Sequence, residues 1–251
     1  MLGAGRVGGS FANALRAAGH DVIAELHRDD DPSPLARADV IVIAVPDDAL
    51  PGAVAAVERL GRAGAAVVHT CGIHGLAPLA ECGPFIAAIH PAVPVASSEQ
   101  SFTGVVFGVT APEAMKAWSA EFVTDLGGTP LFVPKEERVR YHAALSMASN
   151  FGVALAGDSA DLLGGYEMLI PLLRVTVENV ARLGPDAALT GPIVRGDAGT
   201  VRAHLRALPP DLLEAYVANA RRALARAVAS GRLDEAAAAR VAEALEEAMV
   251  R

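Results

Sequence analysis

The apolar positions of this chain change period near its middle. Before residue 134, short β-branched runs alternate with stretches of helical spacing. Val40 to Val45 is a continuous apolar run, as expected of a parallel strand buried on both faces. Val22 to Leu26, Ala65 to Thr70, Phe85 to His90, Val105 to Thr110 and Pro130 to Val133 read as further strands. Helical spacing connects several of them, over Val7 to Ala18, Asp48 to Leu60 and Pro112 to Leu126, and Gly127 and Gly128 end the last. Such alternation predicts a parallel sheet with helices on both faces. After Pro134 only the helical period remains, over Glu136 to Leu163, Glu167 to Leu183, Ala198 to Leu205, Asp211 to Ala229 and Asp234 to Val250. The pattern therefore predicts an α/β domain over residues 1–134 and an all-helical domain over residues 135–251.

The first predicted helix opens on a glycine pattern. Gly3, Ala4, Gly5, Arg6, Val7 and Gly8 spell G-x-G-x-x-G. In a dinucleotide-binding turn, the glycine at position 3 permits the tight bend. The one at position 5 lets the backbone approach a pyrophosphate, and the one at position 8 lets helix and strand pack closely. A plain strand-to-helix turn also uses glycine, but here a helix, a second strand and a suitably spaced basic residue follow. The end of that second strand selects the cofactor. An acidic residue there binds a ribose 2′-hydroxyl, and a basic one accommodates a 2′-phosphate. Arg28 stands 20 residues after Gly8, with His27 before it, which favours NADP over NAD. Asp29 takes the acidic role if the strand ends one residue later.

Only Met1 and Leu2 precede Gly3, whereas a strand has about five residues. In this type of sheet the first strand is central. The spacing predicts a slot in the sheet, left either by a recorded start that lies too late or by a strand that is genuinely short.

Composition narrows the function. The chain has 251 residues, 52% hydrophobic and 20% charged, enough for a sizeable core. With 21 basic against 29 acidic residues the net charge is −8, which argues against nucleic-acid binding. No apolar run approaches the roughly 20 residues of a membrane-spanning helix, and no charged-then-apolar leader opens the chain. Cys71 and Cys82 are too few for a disulfide framework or a zinc site. A soluble, cytoplasmic protein is expected, with no metal.

Further phrases accumulate: Ala38 to Asp48, His69 to Gly72, His90-Pro91, Tyr141 to Ala144, Ser149-Asn150 and Leu189 to Asp197. Together they resemble the Rossmann-like proteins whose helical C-terminal half is called domain of unknown function 2520. That family is similar to the 6-phosphogluconate dehydrogenase-like reductases, including ketopantoate reductase and pyrroline-5-carboxylate reductase. The resemblance implies a Rossmann dinucleotide-binding domain followed by a helical substrate and dimerisation domain. It implies that Val45, Pro46 and Asp47 border the ribose and pyrophosphate, and that Cys71, Gly72 and His90 stand near the nicotinamide. The family usually has serine where Cys71 stands. Without a base beside it, Cys71 reads as a wall residue. His69 and His74 read as structural or solvent-facing.

On the helix from Glu136, His142, Ser146, Ser149 and Asn150 fall within a sector of about 100°. Such a polar stripe on an apolar helix meets solvent in a cleft or meets a ligand. An ordinary exposed face is the plainer reading, but the stripe holds no Lys, Arg or Glu. Related reductases usually place a lysine on the matching helix as proton donor. Here the two lysines, Lys116 and Lys135, lie elsewhere. His142 is then the expected general acid, since imidazole titrates near neutral pH. Asn150 orients the substrate or carboxamide, and Ser146 bonds the same oxygen. Thr190 to Asp197 forms a shaped loop in which Thr190 and Arg195 bind substrate. Arg195 offers a planar fork for a carboxylate, while Asp197 reads as a helix cap.

The expected activity is NADP-dependent reduction of a carbonyl or imine in a small, ketopantoate-like carboxylic acid, by a homodimer. A deazaflavin hydride donor on the same fold and a non-catalytic NADP sensor are the rival readings.

Overall fold

The computed structural model describes residues 1–61 and 64–247. Five strands form one sheet in the order β1 (Val40–Ile43), β2 (Ala66–His69), β3 (Ile86–Pro91), β4 (Val106–Thr110) and β5 (Thr129–Phe132). Helices α1 (Arg6–Ala17), α2 (Leu50–Glu58) and α3 (Lys116–Asp125) accompany them. β1–β2, β2–β3 and β4–β5 pair in parallel, with Val42 opposite Val68 and Val68 opposite Ala87.

The expected parallel sheet is present with one exception: β3 and β4 are antiparallel, with His90 opposite Gly108. The segment between them, residues 92–105, contains no helix to carry the chain back across the sheet. One correction concerns Val22 to Leu26. It forms no strand and makes only a bridge from Leu26 to Leu2, while Leu2 also bridges Ile43. The Met1–Leu2 segment thus lies between the two, as the central position predicts.

The strand period divides the core by face. Val42 and Val68 point to one cluster with Phe11, Phe102 and Phe107, whose rings meet edge-on at 5.1–6.0 Å. Ile41, Ile43 and Val67 point to the other, with Leu26, Leu35 and Leu79.

After β5 only helices follow. The single helix expected over Glu136 to Leu163 is two, α4 (Arg138–Ala148) and α5 (Asn150–Leu163), separated at Ser149. Ser149 directs its hydroxyl to Asn150 Oδ1 at 3.4 Å, and both residue types compete with helical hydrogen bonds. Then come α6 (Leu169–Leu183), the short α7 (Pro185–Ala188), α8 (Ala198–Ala207), α9 (Pro210–Ala229) and α10 (Glu235–Glu247). The expected end of the last helix, at Val250, lies outside the described residues.

The chain forms two compact units, residues 1–152 and 153–251. The compositional change falls at residue 134, yet the first unit includes α4. Arg138 ties that helix to the sheet: it is fully buried and donates to the carbonyls of Cys71, Gly108 and His74 at 2.7, 3.0 and 3.1 Å. The second unit has its own core, around Val201, Val217, Val241 and Leu245. Among the described residues no helix is long and apolar enough to cross a membrane.

Candidate functional site

The glycine turn is fixed by sterics at two of its three glycines. Gly3 has φ +96°, and a Cβ there would lie 2.5 Å from the Ala44 carbonyl oxygen. At Gly8 a Cβ would stand 2.0 Å from the carbonyl oxygen of Gly3. Gly5 is different, since nothing lies within 4 Å of its missing side chain. It caps the N-terminus of α1 without a side-chain hydrogen bond, leaving bare amides facing open space. Packing does not require glycine at Gly5, but close approach of a phosphate to those amides does. The turn therefore fits a dinucleotide pyrophosphate on its own geometry.

Two cavities meet at this turn. One, of about 670 Å³, is bordered by Gly3, Gly5, His27, Arg28 and Pro46, and also by Arg59 from the end of α2. Asp29 and Asp30 border it too. Asp30 is engaged locally, accepting from the His27 amide at 2.7 Å. The other cavity, of about 410 Å³, is lined by Arg6, Val7, Asp47, Cys71, His90 and His142, among others. Gly72 lines it as well, and the two cavities share Gly5, Ala44, Val45 and Pro46. One trough thus runs past the ends of β1, β2 and β3, where α/β sheets bind their ligands. Gly8 is buried under the turn and packs the helix.

The second cavity is rich in imidazoles, and each has a distinct environment. His69 is fully buried, receives the Cys71 amide on Nδ1 at 3.2 Å and donates from Nε2 to the Gly75 carbonyl at 2.8 Å. Burial pushes its pKa down to about 4. It is a structural, neutral histidine, as its sequence context suggested. His90 places Nδ1 3.0 Å from the Tyr141 hydroxyl. Burial, then the Arg138 guanidinium and His142, push its pKa down to about 4 as well. The rings of His90 and His142 lie edge-on at 5.8 Å. Both converge on Gly72, where a Cβ would meet His142 Cδ2 at 2.3 Å and His90 Nε2 at 3.0 Å. A side chain at Gly72 would therefore displace both imidazoles.

Cys71 is buried, and burial, with Asp47 beside it, pushes its thiol well above the usual range. That environment suits a wall, not a nucleophile. The floor of the site carries Arg138, none of whose three hydrogen bonds goes to a carboxylate. A guanidinium stays protonated even when burial lowers its pKa, so the site has a fixed positive charge beneath it. Tyr141 lies under that charge, and Gly108 leaves room for its hydroxyl, which would stand 2.4 Å from a Cβ there.

Of the helix stripe, the cavity includes His142 and not Ser146, Ser149 or Asn150. The break at Ser149 puts Asn150 at the start of α5, where it is exposed, so the stripe does not continue along one helix. Thr190 and Arg195 belong to the second unit and are exposed. Asp197 caps α8 as expected, its carboxylate accepting from the Thr200 amide at 2.9 Å and hydroxyl at 2.6 Å. Among the described residues no cluster of three or more His, Cys, Asp or Glu is placed to hold a metal ion.

Arg138 and Arg59 escaped the sequence reading, and Tyr141 entered it only within a phrase of the resemblance, with no role at the site. Arg138 left a faint signal: a cation in the first turn of a helix opposes the helix dipole, so its position needs another reason.

Residues 105–223 match a family described as a domain of unknown function (DUF2520), and residues 23–91 match the Rossmann-like domain. Among solved structures, the chain is similar to BF3122 of Bacteroides fragilis, which carries the name NADP oxidoreductase. The two are 22% identical, with 89% of this chain and 96% of that chain covered and a TM-score of 0.75. Protein TM1727 of Thermotoga maritima is 20% identical over 92% of this chain and 98% of its own, with a TM-score of 0.66. Pyrroline carboxylate reductase of Plasmodium falciparum, solved with NADP bound, is 13% identical over 97% and 96%, at 0.59. At these identities the likeness is one of fold. No curated protein matches the chain.

Proposed function

From a chain that joins a Rossmann-like domain to a DUF2520 domain, we propose an NADP-dependent oxidoreductase that reduces the carbonyl or imine of a small carboxylic acid. The observation that carries this reading is the shared trough. Its first cavity is bordered by Arg28 and Arg59, cations suited to a 2′-phosphate, with His27 beside them, and its second ends at His142. The names of the similar structures, which include NADP-bound pyrroline carboxylate reductase and an imine reductase, support the same class.

When bound, NADPH supplies the hydride that the substrate carbon accepts. Gly5, Arg6 and Val7 would hold the pyrophosphate with amides at the helix N-terminus, in the bend that Gly3 allows. Val45, Pro46 and Asp47 bound the ribose, and Cys71, Gly72 and His90 wall the ring end. His142 gives the proton to the substrate oxygen or nitrogen. His90, held neutral, provides a hydrogen-bonding edge beside it. Arg138 adds an attractive field for a substrate anion. Arg195 is assigned the carboxylate on its chemistry, an exposed planar fork on a glycine-containing turn, with Thr190, Ser146 and Asn150 as further polar partners of substrate or carboxamide.

The protein is read as a cytoplasmic homodimer. Both cysteines are free thiols. α6 supports the dimer, for it exposes Ile170, Leu173, Val177 and Val180 along one stripe. Exposed apolar surface of that extent marks an interaction face.

A screen of 2-oxo acids and cyclic imines, followed at the NADPH absorbance band, tests the proposal. Substrate-dependent oxidation of NADPH is the expected result. Tight NADPH binding with no turnover across the panel would instead make the protein a nucleotide sensor.

A further inference from the structure

Tyr141 does not line the trough, yet it bonds a residue that does. The cavity beyond the glycine turn is lined by Gly72, His90 and His142, among others, and the Tyr141 hydroxyl lies 3.0 Å from His90 Nδ1. Two features hold the phenol there. Arg138 locks α4 to the sheet, and its guanidinium lies 5.4 Å from the centre of the Tyr141 ring. Gly108, opposite His90 in the β3–β4 ladder, leaves a recess for the hydroxyl, since a Cβ would stand 2.4 Å from it.

That contact decides where His90 carries its proton. The ring is neutral at neutral pH, so one of its nitrogens is a donor and the other an acceptor. Burial keeps the Tyr141 phenol protonated. A phenol O–H is a far stronger acid than a neutral imidazole N–H, so it donates and Nδ1 accepts. The imidazole hydrogen then sits on Nε2.

Nε2 is the atom that faces Gly72. It and His142 Nε2 each lie 3.0 Å from the point where a Cβ on Gly72 would stand, so they are at most twice that distance apart. One ligand atom between them is within hydrogen-bond reach of both. The surrounding charge is set by Arg138, which is fully buried. Arg6 and Asp47 also line the cavity, but they are opposite in sign and exposed to solvent that screens them. His69 is neutral.

We infer that Tyr141 is a positioning residue that fixes His90 with its hydrogen on Nε2, and that His90 and His142 together select a carbonyl substrate over an imine. The inference rests on the reductase reading and narrows it. A carbonyl oxygen has two lone pairs, one for the His90 hydrogen bond and one for the His142 proton. An imine nitrogen has one lone pair, and a protonated imine has none and carries a positive charge toward Arg138. In carbonyl reduction the hydride adds to carbon and the π electron pair moves to oxygen. The His90 N–H and the field of Arg138 stabilise that negative charge, and the proton from His142 completes the alcohol. The two electrons come with the hydride of NADPH, which is left as NADP⁺.

Two-bond proton–nitrogen correlation spectra of the imidazoles, recorded near neutral pH, read the tautomer directly. The His90 signals are identified by their loss in His90→Gln. In the unaltered protein, His90 is expected to show a protonated Nε2 and a bare Nδ1. Tyr141→Phe keeps the ring and removes the hydroxyl. It is expected to give a mixture of tautomers with the circular dichroism spectrum unchanged. In the NADPH assay, 2-oxo acids are expected to exceed cyclic imines in kcat/KM by about tenfold or more. Tyr141→Phe is expected to lower kcat for the oxo acid by about tenfold, with NADPH affinity retained. A proton on Nδ1 in the unaltered protein, an unmoved tautomer in Tyr141→Phe, or faster turnover of the imines overturns the proposal. Silence across both substrate classes removes the reductase reading and overturns the substrate choice with it, while the tautomer still decides the part of Tyr141.

Discussion

At the scale of the residue, the site divides into groups that hold and groups that act. Arg28 is the proposed holder of the 2′-phosphate. Arg28→Asp sets a like charge against that phosphate and is expected to weaken NADPH binding at least tenfold while changing NADH binding little. Calorimetric titration with both cofactors measures this, and equal losses would remove Arg28 from the role. His142 is the proposed acid. His142→Gln is expected to retain NADPH affinity, because the glycine turn is untouched, and to lower turnover by about 10²–10⁴-fold. It should also delete one limb of the pH–rate profile. A drop in stability with turnover per folded molecule and pH profile unchanged would make His142 a packing residue. Gly72 and Gly108 bear on the second idea, for each leaves the space in which an imidazole or phenol of α4 reaches the site.

At the scale of the element, glycine spacing and apolar period were legible, and breaks within a period were not. The helix from Glu136 carried an unbroken pattern, yet Ser149 divides it. A serine–asparagine pair offers local hydrogen bonds that rival the helix, and only the surroundings decide which wins. Val22 to Leu26 carried a strand pattern and forms a single bridge, from Leu26 to Leu2. α6 shows the reverse, a pattern with more apolar residues than its own unit covers. Introducing Leu173→Glu together with Val177→Glu on its exposed stripe is expected to convert a dimer to monomers with helicity retained. Sedimentation velocity and circular dichroism on the same sample check this, and an unchanged sedimentation coefficient would move the interface elsewhere.

At the scale of the whole molecule, two histidines, His69 fully buried and His90 partly buried, couple stability to pH. His69 and His90 have folded pKa values of about 4, below the usual 6.5. In the unfolded chain they take up protons as pH falls past 6.5, while in the fold they resist. Their contribution is thus present above about pH 6.5 and is lost as pH falls toward 4. Every tenfold difference in proton affinity between fold and unfolded chain is worth about 1.4 kcal/mol, and partial solvent screening at His90 reduces its share. His69→Gln is expected to lower stability at pH 7.5 and to flatten the fall between pH 6.5 and 4. Denaturant melts of both proteins across that range measure it, and parallel curves would show that His69 is not a source of the acid sensitivity.

The sequence alone determined the α/β half, the helical half, the glycine turn and the basic residue after it. These are local matters: period, turn chemistry and spacing act over a few residues, and Gly3 needs its positive φ whatever packs around it. Tertiary structure decided what depends on residues far apart in the chain. It turned β3 and β4 antiparallel, brought α4 into the first unit through Arg138, and set His90 against Tyr141 and His142 over Gly72. It placed His142 at the cavity and left Ser146 and Asn150 outside it. A helical stripe specifies only which side chains share a face. Which of them reaches a ligand depends on where the helix is anchored, and here that anchor is a buried guanidinium bonded to carbonyls 30 to 67 residues away.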